Sequence, residues 1–310
     1  MTGEEKLQTA CVLRLFGVSA LRVQQAAAGF PAAWQVQAQC RSRGAETLLA
    51  LDAGTASGLK KAQQSLQACF SAALYGTGST SLSQAAVQAL EQHHKLLVCS
   101  DAASGTLLET RLEAVPGAEK VFDFGRMSYA DAKTNALLEA QVQRRTRSDH
   151  AADRTLARVQ AAQRLVGVEF AAGCLEQSNA RFLLVLGTRK GCWLRTVYAA
   201  DAPALWLLDM IRRAACGLPQ AEGTLWQRYR DPVPEGVQHP APAAVESAPS
   251  PAPKPRKKHR LRHALLLLLL LAALVAAAGW WYTGGDLAAL PQLLHSLRTD
   301  TLPHAGAELI

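Results

Sequence analysis

Residues 96–138 read LLVCSDAASGTLLETRLEAVPGAEKVFDFGRMSYADAKTNALL, and the order of residue types in this stretch decides the kind of fold. With Lys95 in front, 95–99 is a short apolar strand. SDAASGT then turns the chain out of it, and a helix is predicted over 107–115, stopped by Pro116 and Gly117. A second helix is predicted over 130–143. Strand, turn and helix in this order are the building unit of an α/β domain.

The pattern continues outward in both directions. Upstream, 33–40 and 47–51 read as strands. Residues 57–70 carry Leu59, Leu66 and Phe70 at the spacing of a helix packed on them. Residues 81–93 place Leu82, Ala86, Val87 and Leu90 on one helical face, with serine and threonine available as caps. Downstream, 154–177 reads as one long helix, 182–186 as a wholly apolar strand and 193–198 as another. An amphipathic helix over 204–216 closes the head. Strands alternating with helices predict an α/β head, about residues 5–228, with a partly parallel sheet.

Beyond the head the composition changes twice. Residues 231–255 hold eight of the fourteen prolines and almost no large apolar side chain, so they cannot build a core and read as a disordered linker. Residues 264–282, ALLLLLLLAALVAAAGWWY, are uncharged throughout. At 1.5 Å per residue such a run spans roughly 28 Å, close to the hydrocarbon thickness of a bilayer. Only a helix satisfies its backbone internally in lipid, so a transmembrane helix is predicted, with Trp280, Trp281 and Tyr282 at the interface. Lys254, Arg256, Lys257, Lys258, Arg260 and Arg262 precede it, whereas Arg298 alone follows. The positive-inside rule then puts the head in the cytoplasm and the short tail outside.

The same cluster explains the charge. Six of the eight net positive charges lie in residues 254–262. The remainder is nearly neutral, so the high pI reflects a juxtamembrane patch, which attracts anionic lipid at ~1 kcal/mol per basic residue. No nucleic-acid partner is expected. Cys11, Cys40, Cys69, Cys99, Cys174, Cys192 and Cys216 are odd in number and contain no C-x-x-C pair, which fits reduced thiols and no metal site.

Residues 96–138 resemble the C-terminal domain of the CinA-type (competence/damage-inducible) proteins, which are nicotinamide-mononucleotide amidohydrolases. Leu107, Leu108, Arg111, Leu112, Val115, Pro116, Gly117, Phe122, Tyr129, Ala132 and Lys133 stand in the order of that family's signature, AESCTGG-LL-x-x-RL-x-x-VPG, then F, then YSNEAK. Residues 74–97 are similar to the helix that opens that domain. Residues 13–73 are similar to the small KH-like module of full-length members, without a basic Gly-x-x-Gly loop.

This resemblance implies a division into a KH-like α+β module at 1–74 and a CinA C-terminal-like α/β domain at 75–228. A linker with the basic cluster follows at 229–262, then the membrane helix at 263–283 and a tail at 284–310. It also implies a chemistry, deamidation of a carboxamide by a serine nucleophile assisted by a tyrosine and a lysine. Residue by residue, the motif's glutamate falls on Asp101, its serine on Ala102, its threonine on Ser104 and its first glycine on Gly105. The tyrosine falls on Tyr129 and the lysine on Lys133, four apart, as on one helical face. The nucleophile position therefore holds a methyl group, and removing a nucleophile typically costs about 10⁴-fold or more. Ser100 and Ser104 are the neighbouring hydroxyls that could replace it. The family's glycine-rich phosphate loop is shortened to GTRKG, where Gly187, Thr188, Arg189, Lys190 and Gly191 form either a small anion site or a solvated hairpin turn.

The expectation is a catalytically inactive, membrane-anchored CinA-like domain. It would sit at the bacterial inner membrane as a single-pass protein and serve as a nucleotide-sensing or protein-docking module. The alternative is an active nicotinamide-mononucleotide amidohydrolase tethered there. The resemblance implies a pyridine nucleotide as ligand and a homodimer as assembly; no cofactor is expected.

Overall fold

The computed structural model describes residues 9–146, 148–231, 233, 234 and 237. The linker beyond residue 237, the basic cluster, the predicted membrane span and the tail lie outside the described residues. Among the described residues no helix is long and apolar enough to cross a membrane.

The first lobe runs β1 (Ala10–Phe16), α1 (Ala20–Ala28), β2 (Val36–Arg43), β3 (Glu46–Ala53), α2 (Ala56–Phe70) and β4 (Leu74–Thr77). All its strand pairs are antiparallel, in the order β2-β3-β1-β4, which makes a split βαβ unit. Alternation aims Leu13 and Leu15 of β1, with Leu49, Leu51 and Ala53 of β3, at one face. There they meet Val23 of α1 and Leu59, Ala62 and Leu66 of α2. Thr55 caps α2 by accepting from the Gly58 amide at 3.0 Å. β4 belongs to this sheet, so the first lobe extends to Thr77, past residue 74.

The second lobe is a sheet of order β5-β6-β7-β8-β9 with helices on both faces. Its strands are β5 (Leu97–Cys99), β6 (Phe170–Gln177), β7 (Arg181–Gly187), β8 (Cys192–Tyr198) and β9 (Leu225–Gln227). β5 and β6 are parallel and the rest antiparallel, so the mixed sheet contains a single parallel pair. On one face α3 (Leu82–Gln92), α4 (Ala102–Leu112), α5 (Ala118–Val121) and α8 (Pro203–Ala215) cover Leu97, Cys99, Ala172, Leu184 and Leu186. On the other, α6 (Ala132–Arg145) and α7 (Ala151–Val166) cover Val98, Ala171, Leu183 and Val185. β7 is buried on both sides, which is why 182–186 is continuously apolar rather than alternating.

Two expectations need correction. Residues 154–177 are not one helix. α7 stops at Val166, Gly167 follows at φ 77°, and its amide donates back to the Gln163 carbonyl at 3.0 Å. The chain then becomes β6, wedged between β5 and β7. Ala171 and Ala172 are wholly buried there, and a side chain at Gly173 would strike Val159 of α7. Small residues were needed where helices press on both faces, and alanine carries a helical signal in the sequence. The second correction is that the helix expected at 107–115 begins five residues earlier, at Ala102.

α8 joins the lobes. Asp209 is 1% exposed and accepts from Arg212 at 2.7 Å and from Arg213 at 2.6 Å. Arg213 also donates to the Phe16 carbonyl at 3.0 Å and Arg212 to the Ala72 carbonyl at 2.6 Å, both in the first lobe. Phe16 meets Trp206 edge-on, with centroids 4.8 Å apart.

Candidate active site

The site predicted from residue order lies where β5 gives way to α4. The Ser100 amide donates to the Ala172 carbonyl at 2.7 Å, extending the parallel ladder by one residue. Asp101, in extended conformation, is the N-cap of α4. Its carboxylate accepts from the Ser104 amide at 2.8 Å, the Ser100 hydroxyl at 2.7 Å and the Cys174 amide at 3.2 Å. A carboxylate already occupies the helix N-terminus, where an anionic ligand would otherwise be favoured.

Ala102 is the first residue of α4, and its methyl group is exposed. Ser100 and Ser104 are both wholly buried. The Ser104 hydroxyl reaches the Asp101 carbonyl at 2.9 Å and the Ala172 carbonyl at 3.2 Å, while that of Ser100 is given to Asp101. Neither hydroxyl is hydrogen-bonded to Tyr129 or Lys133. Both serve as struts of the strand–helix turn.

Tyr129 sits in the loop before α6, and its ring lies against Gly105 and Gly125. A side chain at Gly105 would overlap the phenol, so the glycine at the family position gives the ring its seat. The Tyr129 hydroxyl donates to the Glu109 carboxylate, one turn further along α4. Burial first, and then Glu109, push its pKa above the ordinary tyrosine value. The group therefore keeps its proton and cannot act as a base near neutrality.

Lys133 makes no hydrogen bond to that phenol, which is given to Glu109. α6 begins at Ala132, and its N-cap, Asp131, accepts from the Thr134 amide at 2.7 Å. Tyr129 precedes the helix, so the shared helical face expected for the pair is not formed. Lys133 is exposed on the first turn.

The hairpin Thr188–Gly191 closes on itself. The Thr188 amide and hydroxyl both donate to the Gly191 carbonyl, at 2.8 and 2.9 Å, and Arg189 pairs with Glu169 at 3.5 Å. Register sets it away from Gly105. Asp101 meets β6 at Cys174, whereas Gly187 stands opposite Ala171, three residues back along the strand, or roughly 10 Å. Asp101, Ala102, Ser104, Gly105 and Tyr129 are thus brought together, Thr188, Arg189 and Lys190 are not, and Lys133 is hydrogen-bonded to none of them.

Sequence reasoning missed two participants. Glu109, which holds the phenol, follows Gly105 by one helical turn and could have been found from that spacing. Arg158 of α7 donates to the Ser100 carbonyl at 2.6 Å and also holds Glu139 and Asn135 of α6. Nothing local marks it, because its partners come from two other segments, the turn after β5 and α6. No group of three or more His, Cys, Asp and Glu side chains is placed to hold a metal among the described residues.

No protein-family model matches the chain. A CinA-like protein of Desulfovibrio desulfuricans (strain ATCC 27774 / DSM 6949 / MB) is 30% identical over 174 residues, covering 48% of this chain and 40% of that relative. The chain thus spans less than half the length of the curated relative it matches. Over about half its own length, this chain is similar to a CinA-like protein.

Proposed function

We propose that this protein is a CinA-type α/β domain without amidohydrolase chemistry, held at the bacterial inner membrane by residues 263–283 with its head in the cytoplasm. It works as a nucleotide-sensing or protein-docking module. The carrying observation is the methyl group of Ala102 at the position where the family presents its nucleophile. Around it, the two available serines are buried and engaged, and the phenol of Tyr129 is committed to Glu109. Covalent attack needs a hydroxyl that is both within reach of a base and open to substrate; in this turn the hydroxyl that reaches a carboxylate, that of Ser100 on Asp101, is wholly buried.

The test is ammonia release by the purified protein incubated with nicotinamide mononucleotide. No turnover is expected. Turnover abolished by Ser104→Ala or Lys133→Ala would establish the active alternative. Calorimetry with the same nucleotide separates sensing, which requires binding, from docking, which does not. Protease treatment of sealed inner-membrane vesicles tests the anchor: the head should be digested only where the cytoplasmic face is open to the medium.

A further inference from the structure

A cleft of about 400 Å³ opens between the two lobes where α3 begins. We propose that it binds a small soluble phosphate monoester, at a place separate from the Ala102–Tyr129 region and independent of whether that region is active.

Four features of the cleft support this. First, Ser81 and Gln84 close a capping box, which satisfies the Gln84 amide and leaves those of Leu82 and Ser83 as the free donors of the first turn of α3. Second, Ser83 lines the cleft while being 7% exposed, and its hydroxyl has no hydrogen-bond partner among the described residues. That oxygen retains solvent access, so it is available to a ligand oxygen.

Third, Arg43 from the end of β2 and Arg111 from the last turn of α4 line the same cleft. Neither has an ion-pair partner among the described residues. The one carboxylate present, Glu46, is already held by Arg14 at 2.9 Å and by the Tyr75 hydroxyl. Two guanidiniums therefore remain uncompensated beside two free amides and a hydroxyl. That donor set, with a positive helix end, matches a tetrahedral oxyanion. Fourth, Phe16, Leu82 and Leu205 supply an apolar wall. The volume exceeds that of a bare phosphate and lies in the range of small-molecule sites, which commonly sit between domains.

The experiment is calorimetric titration of the full chain with ribose 5-phosphate and inorganic phosphate, with ribose as the uncharged control. Ribose 5-phosphate should bind and ribose should not. The double substitution Arg43→Gln, Arg111→Gln, at two exposed positions, should weaken binding about tenfold or more with an unchanged melting temperature. Ser83→Ala should weaken it several-fold. Arg144→Gln, an equal change of charge type outside the cleft, should leave affinity as it was. Absence of ribose 5-phosphate binding at millimolar concentration would overturn the proposal, as would equal affinity in the double variant or an equal loss in Arg144→Gln. Capture of phosphatidate vesicles that depends on Arg43 and Arg111, without ribose 5-phosphate binding, would overturn the soluble class in favour of a lipid headgroup.

Discussion

Gly105 and Asp101 are the positions at which one atom decides the most. A methyl group at 105 would enter the space of the Tyr129 phenol. Gly105→Ala should therefore unseat that ring and lower stability by about 1–3 kcal/mol in urea unfolding. An unchanged midpoint would mean the ring does not rest on α4. Asp101→Ala removes three hydrogen bonds at once and should cost more than the ~1 kcal/mol of an ordinary N-cap. Thiol chemistry offers a separate check. Burial pushes Cys174 and Cys192 up to about 12 and raises Cys99 as well, whereas Cys69 is exposed. At pH 8 an aromatic disulfide reagent should modify Cys69 first and reach Cys99, Cys174 and Cys192 only after denaturation. Early loss of those three would contradict the packing described.

Elements differ in how plainly their sequence announces them. β7 was readable because burial on both faces makes it apolar without a break, and α2 because Leu59, Leu66 and Phe70 keep helical spacing. β6 was not. Its buried alanines and Gly173 fit between two helix layers, a requirement set by partners remote in the chain, and locally they prolong the pattern of α7. The site divides in the same way. Asp101, Gly105 and Tyr129 could be placed from a motif, whereas Arg158 joins segments 58 residues apart and left no local trace. The ends of two helices give a paired test. Gly167 closes α7 at φ 77°, while Gly29 closes α1 at φ −79°. Gly167→Ala should cost about 1–2 kcal/mol. Gly29→Ala should be neutral or stabilise by about 0.4–1 kcal/mol. Equal effects at both positions in chemical unfolding would refute the assigned backbone conformations.

For the whole molecule, the seam at α8 should govern stability and cooperativity. Asp209→Ala leaves Arg212 and Arg213, each 4% exposed, without their counter-ion. The expected loss is about 3–5 kcal/mol, read as a fall in melting temperature. Alkali should act on the neighbouring contact. Burial, followed by the hydrogen bond to Glu46, pushes Tyr75 up to about 12 from an ordinary value near 10. Its contribution is therefore fully present below pH 10 and is lost as pH rises from about 10 to 12. Tyr75→Phe should flatten part of that decline in an unfolding series. An unchanged slope would place the phenol in water.

Arg212 and Arg213 grip main-chain oxygens, not side chains, at Phe16 and Ala72. No substitution at either of those two positions can release the grip; only deletion can. A fragment begun at residue 75 would keep both guanidiniums on Asp209 but take away the two carbonyls that they grip and bare the surface that once held a neighbour. Such a fragment should prove insoluble when expressed alone, so the smaller lobe behaves as a permanent part of the larger one's interior rather than as a removable accessory.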